Sequence, residues 1–290
     1  MGADSCTVTL ARRISALIAA LGVLAGLVVA APAQAAPARI RVMTFNICGN
    51  VCRQGEVART AKNVAYQVTA RRVTVTFLQE VCYSQFLAIR TRLYDHGYRG
   101  VFTSGESGGR CNDYDRKHGK GFGNAILVRG DLVGRIVHGL PSPASIRPEG
   151  RALLGTSARI RGRAVYLVTT HTAPGGPNLV AQLRAVRRYL EPIAHRMPVI
   201  LGGDLNSLPA SNELDGFYSR RVPGGQGVFR EMDETTRRPY CRCGSATYQP
   251  VPRKIDYVFA SQRHFRPRNA ATFGTRYSDH RMYIGEFILA

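Results

Sequence analysis

Two short segments concentrate residues able to do chemistry. In Gly202-Gly203-Asp204-Leu205-Asn206, an apolar run (Val199 to Leu201) ends in a carboxylate and a carboxamide. In Ser278-Asp279-His280, a carboxylate and an imidazole stand side by side ahead of the closing apolar segment. Asp and Asn at i and i+2 share one side of an extended backbone. Polar residues at the end of a buried strand are where α/β proteins commonly place their sites. An Asp–His pair supplies a metal ligand and a base that titrates near neutral pH. Together the two segments point to hydrolysis, with a phosphate ester as the expected target.

Further polar residues recur where apolar strands end: Asn46, Glu80 and His171. A lone Asn or Asp at such a place ordinarily bonds local backbone. Glu80 resists that explanation, because a carboxylate closing an apolar strand is costly unless something compensates it. A hard cation such as Mg²⁺ takes oxygen ligands, usually one or two carboxylates plus substrate phosphate and water. Glu80 and Asn46 can supply them, with Asp204 or Asp279 close by. His280 suits the base that activates water, and Asp256 suits the partner that fixes its tautomer. His171 and Asn206 can stabilise phosphoryl oxygens as charge builds.

The elements that must position these residues follow from periodicity. Alternation predicts strands over 40–45, 73–78, 99–103, 124–128, 153–160, 164–170, 199–201, 255–259 and 282–287. The tight Arg161-Gly162-Arg163 turn joins two of them as a hairpin. Val57, Ala61, Val64 and Val68 keep helical spacing, as do Leu179, Leu183, Val186, Leu190 and Ile193 after Pro177. A further helix is expected over 86–93, and residues 104–123 read as an exposed loop. Strands, hairpins and helices mixed along one chain predict an α/β sandwich, two packed sheets flanked by helices. No internal repeat is visible.

The order of motifs resembles the endonuclease/exonuclease/phosphatase superfamily, the group of pancreatic-type deoxyribonuclease. The segments that carry it are Met43-Thr44-Phe45-Asn46, Leu78-Gln79-Glu80-Val81, Gly123-Asn124-Ala125-Ile126-Leu127, Thr170-His171-Thr172, Gly203-Asp204-Leu205-Asn206, Lys254-Ile255-Asp256-Tyr257 and Ser278-Asp279-His280. The resemblance implies a four-layered α/β sandwich of two mixed sheets flanked by helices. It also implies Mg²⁺-dependent cleavage of phosphate esters, with Mn²⁺ or Ca²⁺ as alternatives. By resemblance Asn46, Glu80 and Asp279 form the metal side. Asp204 activates the nucleophile, Asn206 holds it or the phosphate, and His171 and His280 contact the scissile phosphate, with Asp256 orienting His280. Where relatives often carry an acidic residue, at the start of the second strand, this chain has Arg71-Arg72. Gly119-Lys120-Gly121 lacks the spacing of a phosphate-binding P-loop.

Residues 1–36 read as a signal peptide: Arg12-Arg13, an apolar run from Ile14 to Ala31, and the small-residue exit Ala33-Gln34-Ala35. An uncleaved anchor is the alternative reading. Residues 37–290 are then the catalytic domain, expected to be extracellular and monomeric, with no obligate protein partner. Six cysteines follow the leader, and an even count in an exported chain favours disulfides over zinc. Their pairing stays open, although a bridge at Cys48 would brace the loop after Asn46. The whole chain carries a net charge of +21. Such an excess fits a polyanionic partner, nucleic acid or an anionic membrane surface. Arg110, Arg116, Lys117, Lys120, Arg237, Arg238 and Arg253 are the loop cations expected to meet it. A DNA (or RNA) endonuclease is therefore the leading expectation. A sphingomyelinase-like lipid phosphodiesterase, an inositol or small-molecule phosphatase, and an inactive polyanion binder are the alternatives.

Overall fold

The computed structural model describes residues 38–290, apart from 107–108, 112–114, 116, 119–120, 145–149 and 235–239. The signal-peptide reading over 1–36 lies outside the described residues, as do Arg116, Lys120, Arg237 and Arg238. No helix among the described residues is long and apolar enough to cross a membrane.

Twelve strands form two six-stranded sheets. The first contains β1 (Ala38–Asn46), β2 (Val75–Cys82), β3 (Tyr98–Glu106), β4 (Phe122–Arg129), β11 (Phe265–Phe273) and β12 (Met282–Leu289), in the order β11-β12-β1-β2-β4-β3. The second contains β5 (Asp131–Gly139), β6 (Ala152–Ile160), β7 (Arg163–His171), β8 (Val199–Asp204), β9 (Phe229–Glu231) and β10 (Asp256–Ser261), in the order β5-β6-β7-β8-β10-β9. Each sheet has one parallel pair at its centre, β1 with β2 and β7 with β8. Helix α1 (Ala58–Ala70) makes the first crossover and α3 (Gly176–Ala194) the second, while α2 (Tyr83–Tyr94) follows β2 directly.

Strand period 2 sorts the side chains into layers. Ile40, Val42, Val75, Phe77, Val165, Leu167, Ile200 and Val258 point between the sheets and form the central core. Met43, Phe45 and Leu78 face the other way and pack with Ala61, Val64 and Val68 of α1 and Phe86 and Ile89 of α2. Tyr166, Val168, Leu201, Tyr257 and Phe259 meet Leu179, Leu183, Val186 and Leu190 of α3. Helices, sheet, sheet and helix make the four layers that the fold class required.

Several elements differ from expectation. β2 begins at Val75 and runs on to Cys82, past the predicted end. The predicted 104–123 loop starts inside β3 and ends inside β4. It is anchored as well: Cys111 is buried beside Cys82, and buried Asp115 accepts hydrogen bonds from the Ser84 N–H (2.7 Å) and hydroxyl (2.9 Å). β5, β9 and β11 were not expected. β5 is an exposed edge strand with no apolar alternation, β11 carries a bulge at Pro267–Asn269, and β9 has three residues. Pattern alone reads none of these.

The six described cysteines of the body fall into close pairs: Cys48–Cys52, Cys82–Cys111 and Cys241–Cys243, with Cα separations of 5.3, 5.6 and 5.3 Å. These separations lie within the range a disulfide spans.

Candidate active site

Each inward-facing row of side chains changes from apolar to polar at the same end. On β1 the row Ile40, Val42, Thr44 ends at Asn46; on β7, Val165, Leu167, Thr169 ends at His171; on β8, Ile200 and Gly202 end at Asp204. β10 runs antiparallel to β8 with Asp256 opposite Asp204, so its first residue enters the same rim. Beneath lies a polar layer that ties the sheets. Gln79 Nε2 donates to Thr169 Oγ1 (3.0 Å) and Thr44 Oγ1 donates to Gln79 Oε1 (3.3 Å). Below that, Gly202 admits Phe77 of the opposite sheet, whose Cδ2 lies 2.1 Å from where a Cβ would stand.

Glu80 reaches the rim by a bulge. Leu78 faces the helices, so strict alternation would turn Glu80 toward them too. Instead Glu80 has φ 53°, and the β2–β4 register shifts between Leu78 and Val81. The extra residue brings Glu80 round to the side of Gln79, and Val81 resumes the helix-facing row. The loop after Asn46 is bolted to it. Gly49 N–H donates to the Glu80 carbonyl (2.9 Å), and Gln85 Nε2 donates to the carbonyls of Gly49 (3.1 Å) and Glu56 (2.9 Å).

Seven of the expected side chains converge. Asn46 Nδ2 donates to Glu80 Oε1 (2.9 Å) and Asp204 Oδ2 (3.1 Å), joining the two sheets across the rim. His171 Nε2 is 3.4 Å and His280 Nε2 3.6 Å from Asp204 Oδ2, and His280 Nδ1 is 2.8 Å from Asp256 Oδ2. Asn206, at φ 48°, bonds through its N–H to Asp204 Oδ1 (3.1 Å) and through Nδ2 to the Thr172 carbonyl (2.9 Å). Half-buried Asp279 stands at the edge, its Oδ1 3.6 Å from Cys52 Sγ, near enough to act electrostatically on Glu80 and His280. Ser278, quoted only as part of a motif, fixes this corner: its hydroxyl donates to the Asn46 carbonyl (2.7 Å) and accepts from the His280 N–H (3.0 Å). Arg151, at the foot of β6, was not anticipated. It lines a small recess with Glu80, Asn124 and His171, and its charge bears on both Glu80 and His171. Only its place before an alternating strand could have hinted at it.

Burial and charge set the protonation states. Burial pushes the Glu80 carboxyl up, only partly opposed by Asn46 and His280. Burial, reinforced by Asp256, raises Asp204 to about 7. Burial, Arg151 and His280 hold His171 well below the usual imidazole value, so it is neutral. His280 goes the other way: burial opposes its charge, but Asp256, Asp204 and Asp279 prevail and raise it to about 10. Four carboxyl groups thus share the rim with one imidazolium. That donor set suits a hard divalent cation. Glu80 offers its carboxylate directly. Asn46 presents its nitrogen to Glu80 and its Oδ1 to the Cys48 N–H (3.0 Å), so it serves as an oxygen ligand only after its amide turns.

A four-layer α/β sandwich with carboxylates, carboxamides and imidazoles gathered at one rim is the architecture of a phosphoester hydrolase. The chain belongs to the Endonuclease/Exonuclease/phosphatase family, whose profile matches residues 43–280. Members of that family are phosphoester hydrolases, most of them dependent on divalent metal ions. Solved structures share the fold. The human Nocturnin catalytic domain with bound sulfate superposes with a TM-score of 0.69 at 19% identity, covering 88% of this chain and 94% of its own. Truncated TDP2 from Caenorhabditis elegans gives 0.65 at 20% identity, covering 86% and 97%. An endonuclease/exonuclease/phosphatase from Bacteroides vulgatus gives 0.64 at 16% identity, covering 87% and 100%. No curated protein sequence is significantly similar to the chain.

Proposed function

We propose that this protein is a Mg²⁺-dependent phosphodiesterase that hydrolyses nucleic acid outside the cell. One observation carries the chemistry: the buried Asp256–His280 pair faces Asp204, within 3.6 Å, directly across from Asn46 and Glu80. Glu80, Asn46 and Asp279 would hold the metal ion, which supplies positive charge to the phosphoryl oxygens.

The protonation states support a reading of the remaining roles. With a pKa of about 10, His280 keeps its proton at neutral pH. We therefore take Asp204, the expected activator of the nucleophile, as the base, and His280 as the acid in place of the base role expected of it. As the new P–O bond forms, water gives its proton to the Asp204 carboxylate. As the old P–O bond breaks, His280 Nε2–H protonates the leaving oxygen. The proton on Asp204 then returns to His280 across the 3.6 Å gap, and the site is reset. Neutral His171 and the Asn206 amide border the same space and donate to phosphoryl oxygens as charge grows.

Nucleic acid is favoured as substrate by the net charge of +21, since phosphate contacts dominate that affinity. A relative in fold, zebrafish TDP2, has been solved complexed with single-strand DNA product. Export is supported by the leader-like first 36 residues and by the three close cysteine pairs, which we take to be disulfides. A lipid phosphodiesterase is the second reading. Exposed Val51, Leu208 and Val251 favour it, because each sits on a loop beside the site.

The test is a panel of supercoiled plasmid, RNA, sphingomyelin vesicles and inositol phosphates with Mg²⁺, and with EDTA as control. EDTA-sensitive nicking of plasmid, abolished in His280→Ala, is the expected result. Turnover of sphingomyelin with intact plasmid would overturn the nucleic-acid assignment.

A further inference from the structure

We propose that the site takes an internal phosphodiester of a polynucleotide and grips the strand on both sides of the scissile bond, through three guanidiniums that tyrosine rings hold at its rim. This rests on the nucleic-acid reading above and narrows it: an endonucleolytic site, not one for a terminal phosphate or a small ester.

Two loops flank Asp279 and His280. Residues 247–249 run beside 279–281: Gln249 N–H donates to the Asp279 carbonyl (2.8 Å) and Arg281 N–H to the Thr247 carbonyl (2.6 Å). The Gln249 side-chain amide reaches the carbonyls of Ser278 (2.8 Å) and Thr275 (3.2 Å) and locks the loop in place. Tyr248 therefore stands edge-on against the His280 imidazole, ring centroids 5.1 Å apart, and carries the Arg253 guanidinium 5.1 Å from its own centroid. On the other flank, Tyr277 lies next to Ser278 and holds two guanidiniums, Arg53 at 5.1 Å and Arg276 at 5.6 Å. Arg53 follows Cys52, the residue that touches Asp279. One cation thus borders the His280 side of the reaction centre and two border the Asn46–Asp279 side.

These three arginines have no carboxylate within 4.0 Å and make no side-chain hydrogen bond among the described residues. Some other arginines are paired with carboxylates, as in Arg230 with Glu234 (3.0 Å) and Arg187 with Glu191 (3.2 Å). An aromatic face orients a guanidinium without discharging it and leaves its donor fork free for a phosphate. A small ester fills only the reaction centre and offers nothing to these forks, whereas the neighbouring phosphates of a polymer do. Val51, Leu208 and Val251 are aliphatic, and the chain has no Trp of the kind that anchors a protein at a membrane interface.

The experiment uses the full chain with Mg²⁺ and measures kcat/KM on oligonucleotides from dinucleotide to hexadecamer, and on bis(p-nitrophenyl) phosphate. The rate on oligonucleotides should climb at least about tenfold with length and then level off. Arg253→Ala and the Arg53→Ala/Arg276→Ala double variant should each lose more on the long oligonucleotide than on the small ester. Each guanidinium removed should lower the slope of log(kcat/KM) against log[salt] by about 0.7 to 0.9. Arg→Lys at the same positions keeps the charge and should keep most of the slope. Cleavage of oligonucleotides with no dependence on length, or an unchanged salt slope in the variants, overturns the grip and leaves the nuclease assignment standing. Hydrolysis of the small ester with no oligonucleotide cleaved, or salt-sensitive binding to anionic vesicles in its place, removes both.

Discussion

Replacing Asp256 by Asn tests the division of labour between His280 and Asp204. The Asp256 carboxylate is fully buried, 2.8 Å from His280 Nδ1, and heads the influences that raise the imidazole from 6.5 to about 10. Without it, burial pulls toward the neutral ring against only Asp204 and Asp279, and the pKa falls back toward the ordinary value. A drop of that size corresponds to about 5 kcal/mol between the two protonation states. At pH 8 the imidazolium fraction would fall from about 99% to about 3%, roughly thirtyfold. Loss of orientation adds to this, so kcat should drop by ~10² to 10⁴. The profile should also move. Asp256 raises Asp204, so removing it lowers the rising limb from about 7, while the falling limb descends from about 10. The whole bell shifts to lower pH. The assay is kcat/KM against pH on bis(p-nitrophenyl) phosphate, with the His280 ring titrated by NMR in parallel. A falling limb that stays put in Asp256→Asn would refute the assignment of His280 as the acid.

Three further outcomes are expected. Glu80→Gln should weaken Mn²⁺ or Mg²⁺ binding at least about tenfold by calorimetry, because the half-buried carboxylate is the ligand presented without rearrangement; unchanged affinity would exclude it. Gly202→Ala drives a methyl group into Phe77 and should cost about 1 to 3 kcal/mol of stability, visible as a lower Tm; an unchanged Tm would show that the sheets are not in contact there. Glu231, beside Lys254 at 3.4 Å, is raised by burial from 4.5 to about 7. A carboxyl raised on folding stabilises below its unfolded value and loses that contribution as pH climbs through the folded one, so stability should decline by up to about 3 kcal/mol between about pH 4.5 and 7. Buried Asp204 adds in the same direction. Urea midpoints for Glu231→Gln should therefore show a shallower decline; a slope equal to the parent's would mean Glu231 does not titrate there.

The rim was legible because its residues end apolar rows, a pattern that a period of two reveals without any knowledge of partners. Asn46, His171 and Asp204 stand where Ile40–Val42, Val165–Leu167 and Ile200 point. Glu80 was found for a weaker reason, the cost of a carboxylate after an apolar run, and simple alternation would have aimed it at the helices. Only the bulge, a matter of register between β2 and β4, turns it inward. β5 escaped because an exposed edge strand needs no apolar face. The Tyr248–His280 contact was equally invisible. It depends on residues 247–249 lying beside 279–281, a pairing that no local spacing encodes. The expectation for residues 104–123 held only in part, since Gly- and polar-rich composition does not disclose that Asp115 is buried against Ser84.

The two sheets repeat one topology that the sequence does not show as a repeat. Each holds a parallel pair with a helical crossover, β1–α1–β2 and β7–α3–β8, and an antiparallel strand on either side of it. Stacked face to face, the two parallel pairs bring four strand exits to a single rim. The chemistry is shared across the seam. The first sheet contributes Asn46 and Glu80, the groups suited to a cation, with Asp279 and His280 entering just ahead of its strand β12, and the second contributes His171, Asp204 and Asp256, which handle protons together with His280. Were these carboxylates all on one sheet, Glu80 and Asp204 would repel across a strand spacing of about 5 Å with nothing between them. Across the seam, the Asn46 amide donates to both and screens them from each other. An Asn46→Asp variant would replace that shared donor with a third negative charge. It should push Asp204 and Glu80 further up and move the rising limb of the pH profile above about 7. A rising limb left in place would mean that Asn46 does not hold the two halves of the site together.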